Sequence, residues 1–565
     1  MEKSFRQLMW GMIILSLAFS ACGPRQVPSE KLISDLSLKR GQVPTCGPPE
    51  KKLGSVAFQT SCGEAVRKDF DLALALLHSF EYDEAEKTFA RVIDKEPGCP
   101  MAYWGVAMSN FHPLWSPPSG AELEKGLKAV RIGQSLSGKS AREAAYLDAV
   151  SAFYTGYEKA DHRVRCARFE KAMQKLYTSY PSDAETAIFY ALALNGAADP
   201  ADKSYSKQKK AGEILNKLYI RKPDHPGIVH YIIHTYDSPE LAGMALPAAR
   251  RYASLAPSSA HALHMPSHIF TRLGIWQESI HSNLASVASA KCYAESVGIS
   301  GHWDEELHGL DYLVYAYLQR GQNDQAKKQW DYLNSMKKVE PVNFKVAYAF
   351  ASVPSRYLLE NKRWKEAAAL QPQGADLAWT QFPWEGAIIH FARLLGSAHT
   401  GDMPSAKTEL AALRQAHERL LEQRDTYKAN QVQIQIKASE ALILFRDGKT
   451  GEAIDRMALA ADMEDQTAKH PVTPCEVLPA RELLGDLLLQ MDQPEKAFTA
   501  YEADLKKNPN RFNGLYGAGL AAERSGRREK ARYYYRKLLD QAEPGSGRRE
   551  LTRARDYLEA KLALR

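Results

Sequence analysis

Nine of the 16 histidines in this 565-residue chain fall between His225 and His308. Imidazole is largely neutral near pH 7 and is the commonest side-chain metal ligand, so such a cluster raises metal binding first. His230 and His234 are four apart and share one helix face; His261, His264 and His268 stand at i, i+3 and i+7 and share another. Two histidines four apart on one helix, joined by others from its neighbour, can reach a tetrahedral site. The candidate ligands are His230, His234, His264 and His268, and the candidate ion is a divalent metal such as zinc. Asp237 or Asp311 is placed to orient a ring or to bind directly. Neither HExxH nor a Cys-His ligand spacing accompanies them. The competing reading makes these histidines core residues, hydrogen-bonded between packed helices with Tyr231, Tyr236 and Trp276.

The elements that would position the rings are announced by a period. Ala211, Ala245 and Ser279 are each 34 apart, as are Pro223 and Pro257. His230 and His264 lie seven residues after those prolines, and His234 and His268 eleven after. A 34-residue period is the signature of a helix–turn–helix unit that stacks into a solenoid, so equivalent positions point the same way. By the same phase His308 and Asp311 precede Ala326 as His261 and His264 precede Ser279. The expected groove-lining set is therefore His230, His234, Asp237, His261, His264, His268, His308 and Asp311.

A second pattern recurs: a small residue, a bulky one four later, a proline twelve later. Ala85, Phe89 and Pro97 show it, as do Ala211, Leu215 and Pro223, and Ala497, Tyr501 and Pro509. The small residue admits a neighbouring helix, the bulky one fills the gap, and proline ends the second helix. Gly485 and Gly519, 34 apart, mark close helix contacts. No alternating run argues for a sheet. This pattern resembles the tetratricopeptide repeat, which implies an all-α helix–turn–helix solenoid. The blocks His112–Trp115, His261–Phe270 and His470–Leu484 are similar to those of a group of bacterial tetratricopeptide-repeat proteins, a likeness that implies a fold and carries no activity.

The first residues read as an address. Lys3 and Arg6 precede an apolar run from Leu8 to Phe19, too short to span a bilayer comfortably. Phe19-Ser20-Ala21-Cys22 resembles the bacterial lipoprotein cleavage box, which implies lipidation at Cys22 and attachment to a membrane. Gly23, not aspartate, follows, which points to the outer membrane, facing the periplasm, in a two-membrane cell. Residues 1–21 are then a lipoprotein signal peptide and 22–62 a flexible, disordered tether. Residues 63–370 form an N-terminal solenoid with the histidine-rich groove and 371–565 a C-terminal one, two superhelical segments divided by the loose run Gln371–Gly374. An insertion is expected at Lys291–Trp303 and an irregular connection within Leu114–Ser140. Cys46 and Cys62 bracket a short Gly/Pro-containing stretch and are the candidate disulfide in an oxidising compartment.

Charge excludes more than it assigns. The net +7 from 74 basic and 67 acidic residues is small for this length, and no basic stripe interleaves with aromatics, so nucleic acid is not an expected partner. No nucleophile elbow, phosphate loop or dinucleotide motif occurs in a strand-to-helix context, so the chain reads as a non-enzyme. The expected function is a membrane-anchored scaffold holding a peptide or protein segment in its concave groove. The alternative is a metalloprotein, either a metal-binding module or a metal-dependent hydrolase, built on the histidines of 230–308.

Overall fold

The computed structural model describes residues 27–44, 46–47, 53–374 and 377–560. Helices follow one another along the whole of this length, each packed on its sequence neighbours. The only sheet among the described residues is a parallel pair of two-residue strands, His302–Trp303 and Val339–Glu340. None of the described helices is long and apolar enough to cross a membrane.

The repeat pattern does the work its residue types imply. In the helix Tyr82–Lys95, Ala85 and Phe89 are fully buried. A Cβ added to Gly105 on the next helix would sit 2.4 Å from the Phe89 ring, so only glycine permits this approach. Gly519 meets Tyr535 in the same way, at 2.7 Å. Pro97, Pro223, Pro257 and Pro509 each stand just beyond the end of a second helix, where their missing N–H breaks no ladder.

Two superhelical turns result. The first helices of the early pairs begin with Arg67–His78 and continue through Pro100–Ser109, Ala141–Tyr154 and Ala184–Gly196 to Pro226–Thr235. Pro226–Thr235 packs back on Arg67–His78 and closes the turn. A second turn begins at Asp304–Gln319 and passes Phe344–Glu360, Pro383–Thr400, Thr426–Arg446 and Ala480–Gln490. It closes where Phe512–Arg524 packs back on Asp304–Gln319. The short helices Ala260–His264 and Pro266–Leu273 join the two turns.

The buried apolar side chains fall into two clusters, one from Leu36 to Phe270 and the other from Trp276 to Ala554. The core thus changes over near 270–276, beside the histidines, and not at the expected 370–371. Leu370 and Leu377, on either side of the loose run, belong to one core. The expected insertion Lys291–Trp303 is mostly helix, because the second helix of its unit extends over 22 residues as Trp276–Val297. Leu114–Ser140 is irregular over 114–119 and 136–140, on either side of a regular helix, Gly120–Ser135, entered by a capping box of Ser119 and Glu122.

The expected tether is also corrected. Leu36, Leu38, Leu53 and Phe58 are buried in the first core, and the Lys39 amide donates to Glu86 at 2.8 Å. With those apolar groups covered, residues 36–44 and 53–58 are packed against the body. Packing changes the cysteine pairing too. Cys46 is bonded to Cys292 and Cys62 to Cys99, so the Cys46–Cys62 bridge does not form. Cys166 and Cys475 are buried thiols. Cys22 and the signal segment lie outside the described residues.

Candidate functional site

The join between the two turns gathers the histidines. His230 and His234 come from Pro226–Thr235, His261 and His264 from Ala260–His264, His268 from Pro266–Leu273, and His308 from Asp304–Gln319. The single face expected over residues 261–268 is divided, and the division falls between His261 and His264 on one short helix, while His264 and His268 stay together across Pro266. His261 turns toward the first turn, and His264 and His268 toward the second. The expected set of His230, His234, His264 and His268 is accordingly split between two triads.

In the first triad, His230 Nε2 lies 3.0 Å from His234 Nε2 and 3.2 Å from His261 Nε2. In the second, His264 Nε2 lies 3.1 Å from His268 Nε2, and the His308 ring stands 4.2 Å from that of His264 between centroids. Each triad offers three nitrogen atoms within 4.8 Å of one another. Rings from the two triads also meet, with the His234 and His268 centroids 6.4 Å apart.

Three of the opposite ring nitrogens are held by groups that only accept. His230 Nδ1 donates to the His78 carbonyl at 2.6 Å, and His264 Nδ1 to Asn283 Oδ1 at 2.7 Å. The Asn283 amide is oriented by its own bond to the Ser279 carbonyl at 2.8 Å. His268 Nδ1 donates to Asp237 Oδ2 at 2.9 Å. Burial pushes His230, His234, His261, His264 and His308 well below the usual imidazole range, and neighbouring rings add to the shift. His268 is lowered by burial as well, against the pull of Asp237.

Asp237 is the hub of the surrounding charges. Besides His268 it accepts from Arg272 Nε at 2.9 Å and faces Lys469 Nζ at 3.6 Å. Burial alone would raise its carboxyl, but Lys469, Arg272 and His268 hold it well below the usual carboxylate range. Lys469 is pushed down to about 7 by burial and by Arg272. Asp311, expected in the groove, turns instead to Ser352 Oγ at 2.8 Å and to Arg356 at 3.8 Å, and burial raises its carboxyl.

A third cluster lies nearby and differs in kind. Glu185 accepts from His78 Nε2 at 2.9 Å and from His225 Nε2 at 2.8 Å, while Tyr231 lies 3.0 Å from His78 Nδ1. Burial would raise Glu185, yet His225 and His78 hold it far below the ordinary value. The two N–H donors satisfy the ionised carboxylate, while His225 Nδ1 is buried without a hydrogen-bond partner.

The groove is not open over the triads. The irregular segment 467–479 runs as a strap across the inner helices of the second turn. Its main-chain carbonyls are held by side chains: Val472 by Tyr312 at 3.0 Å, Pro474 by Arg272 at 3.3 Å, and Cys475 by Tyr348 at 3.2 Å. The His470 ring lies among Phe344, Trp384 and Tyr427. Only about 40 Å³ is left between the strap and its walls. At its N-terminal end a cavity of about 460 Å³ opens onto His234, Asp237, Arg272 and Lys469. His230, His264 and His268 are therefore buried, where a continuous open surface was expected.

Lys469, Arg272 and Glu185 were not indicated by the sequence. Lys469 lies in an irregular segment with no phase, and the other two carry helical spacing shared with ordinary ion pairs.

Residues 483–546 match the tetratricopeptide repeat family. No curated protein matches the chain. Among solved structures the chain is similar to yeast Tom70, with 12% identity, 88% of this chain and 96% of that chain covered, and a TM-score of 0.32. It is similar as well to a monomeric mutant of IFIT1 with m7Gppp-AAAA, at 13% identity, 86% and 98% coverage, and a TM-score of 0.31.

Proposed function

We propose that this chain is a membrane-tethered helical-repeat scaffold that grips an extended polypeptide segment along the inner face of its second turn. The observation that carries the reading is the strap. Tyr312, Arg272 and Tyr348 hold an irregular stretch of chain by its carbonyls, a mode of recognition that reads backbone rather than side chains. Repeats of the tetratricopeptide type at 483–546 support an interaction role. A partner segment takes the path that the strap marks, and displacing the strap is part of binding.

The test uses the chain's own segment as probe. Replacing residues 470–474 by a Gly/Ser stretch removes the aromatic anchor and opens the path. A fluorescent synthetic peptide of residues 467–478 should then bind saturably, and Tyr312→Phe with Tyr348→Phe should weaken it several-fold. Absence of binding to the opened protein rejects the groove reading.

The tether is tested separately. Cys22→Ser should leave the protein unprocessed or release it from the membrane fraction. Unchanged processing and attachment would reject lipidation.

A further inference from the structure

The hydrogens between His264 and His268 do not balance without something between the rings. A neutral imidazole carries one N–H and one lone pair. His264 and His268 each spend the N–H at Nδ1, on Asn283 and Asp237. Their Nε2 atoms are then both lone pairs, and they face each other at 3.1 Å. No hydrogen bond joins two acceptors. In the first triad His230 spends its N–H on the His78 carbonyl, so one lone pair at Nε2 faces both His234 and His261. The His78–Glu185–His225 cluster shows the contrast, since its carboxylate accepts from both rings and no two lone pairs face each other there. Charging a ring is a poor remedy for the triads, because a buried cation is costly and the neighbouring rings oppose it.

We infer that the two triads form a paired transition-metal site, His230, His234 and His261 holding one ion and His264, His268 and His308 the other. A cation is what facing lone pairs accept. The spacing suits it: four nitrogens around a tetrahedral ion with bonds of 2.0–2.1 Å stand about 3.3–3.4 Å apart. The observed 3.0, 3.2 and 3.1 Å are close to that, and small ring movements make up the rest. The second-nitrogen partners are of the kind metal-bound histidines use: a carbonyl, an amide oxygen and a carboxylate that fix tautomer and ring orientation. Asp237 in turn is held by Arg272 and Lys469.

The ligand chemistry selects the ion. Six neutral imidazoles and no carboxylate in either triad disfavour magnesium and calcium, which take oxygen, and suit copper or zinc. Three protein ligands per ion leave a position free, as in metal centres that bind a further ligand. The 460 Å³ cavity reaches His234, which gives the first ion a route from solvent. The pair sits where the two turns join, so its ions cross-link Pro226–Thr235, the two short helices and Asp304–Gln319. This inference does not depend on the scaffold reading.

The test is metal content and binding on the full-length protein, purified without an immobilised-metal step and stripped with chelator. Titration with Cu²⁺ and with Zn²⁺ should give two equivalents retained through gel filtration for at least one of them. Mg²⁺ and Ca²⁺ should give none. X-ray absorption on the loaded wild type should show a nitrogen shell near ~2.0 Å with imidazole scattering. His264→Gln with His268→Gln should reduce retention to one equivalent. Asp237→Asn, which keeps the site's shape, should weaken binding about 10- to 100-fold. Retention of less than one equivalent by the wild type overturns the site, and a single equivalent overturns the pairing. If the double variant does not fold, the absorption spectrum decides alone: a shell of water oxygen without imidazole overturns the assignment.

Discussion

A histidine's environment determines what its proton costs, and His470 makes the case outside the triads. Burial among Phe344, Trp384 and Tyr427, with Lys428 and Lys469 nearby, lowers it to about 3. In the unfolded or released strap the ring returns to about 6.5. As pH falls below that value the released state takes up the proton first, so the bound state loses stability. The loss continues until the folded-state value is reached, at up to about 1.4 kcal/mol per pH unit. The contribution is whole above pH 6.5 and shrinks toward pH 3. Hydrogen exchange across residues 469–476, corrected for its intrinsic pH dependence, should therefore show weaker protection at pH 5 than at pH 7. His470→Phe keeps the aromatic contacts without the proton and should remove most of the difference, leaving the smaller part due to Lys469. Equal protection at both values in the wild type counts against strap release by acid.

At the scale of elements, the sequence was legible wherever one local rule repeated. Ala85, Phe89 and Pro97 predicted a helix pair and its close contact because small, bulky and proline positions act within one unit. The shared phase of His230 with His264 and of His234 with His268 put those rings on adjacent helices facing one cavity. That phase could not show that His261 and His264, three apart on one short helix, face different triads. Asp311 misled for a related reason: phase equivalence with His264 held along the helix, while Arg356 and Ser352 on the next inner helix drew the carboxyl away. The cysteines failed because nearness in sequence stood in for nearness in space. Cys46 lies against the long helix Trp276–Val297, and Cys292 is 246 residues away. A crosslink over that separation restricts the unfolded chain strongly, by about 5 kcal/mol in the chain-entropy account. Cys292→Ser should lower the thermal midpoint and free the segment around Cys46 for proteolysis. Non-reducing peptide mapping of exported protein should return Cys46–Cys292 and Cys62–Cys99 with Cys166 and Cys475 free. A map with Cys46 joined to Cys62 would refute the packed N-terminal segment.

At the scale of the whole molecule, ring closure separates this chain from an open solenoid, whose repeats touch only their neighbours and unfold nearly independently. No period announces closure, because the residues that make it lie far apart and occur once. Arg511 is the clearest of them. It is fully buried just before Phe512–Arg524, and it donates to Glu482 at 2.9 Å, to Glu360 at 2.7 Å and to Tyr315 at 3.1 Å. One guanidinium thus ties the last helices to both Phe344–Glu360 and Asp304–Gln319, where the second turn begins. Removing it leaves two buried carboxylates facing each other without a cation, which costs about 3–5 kcal/mol. Arg511→Ala should therefore do more than lower stability. With the closing contact gone, residues beyond 480 should unfold ahead of the first turn, and denaturant unfolding should separate into two transitions. Limited proteolysis should then release the C-terminal helices first. Replacing Arg511, Glu360 and Glu482 together by Met removes the unpaired charges and should recover much of the loss. A single, merely shifted transition in Arg511→Ala would mean that cooperativity comes from the nearest-neighbour helix contacts and not from closure.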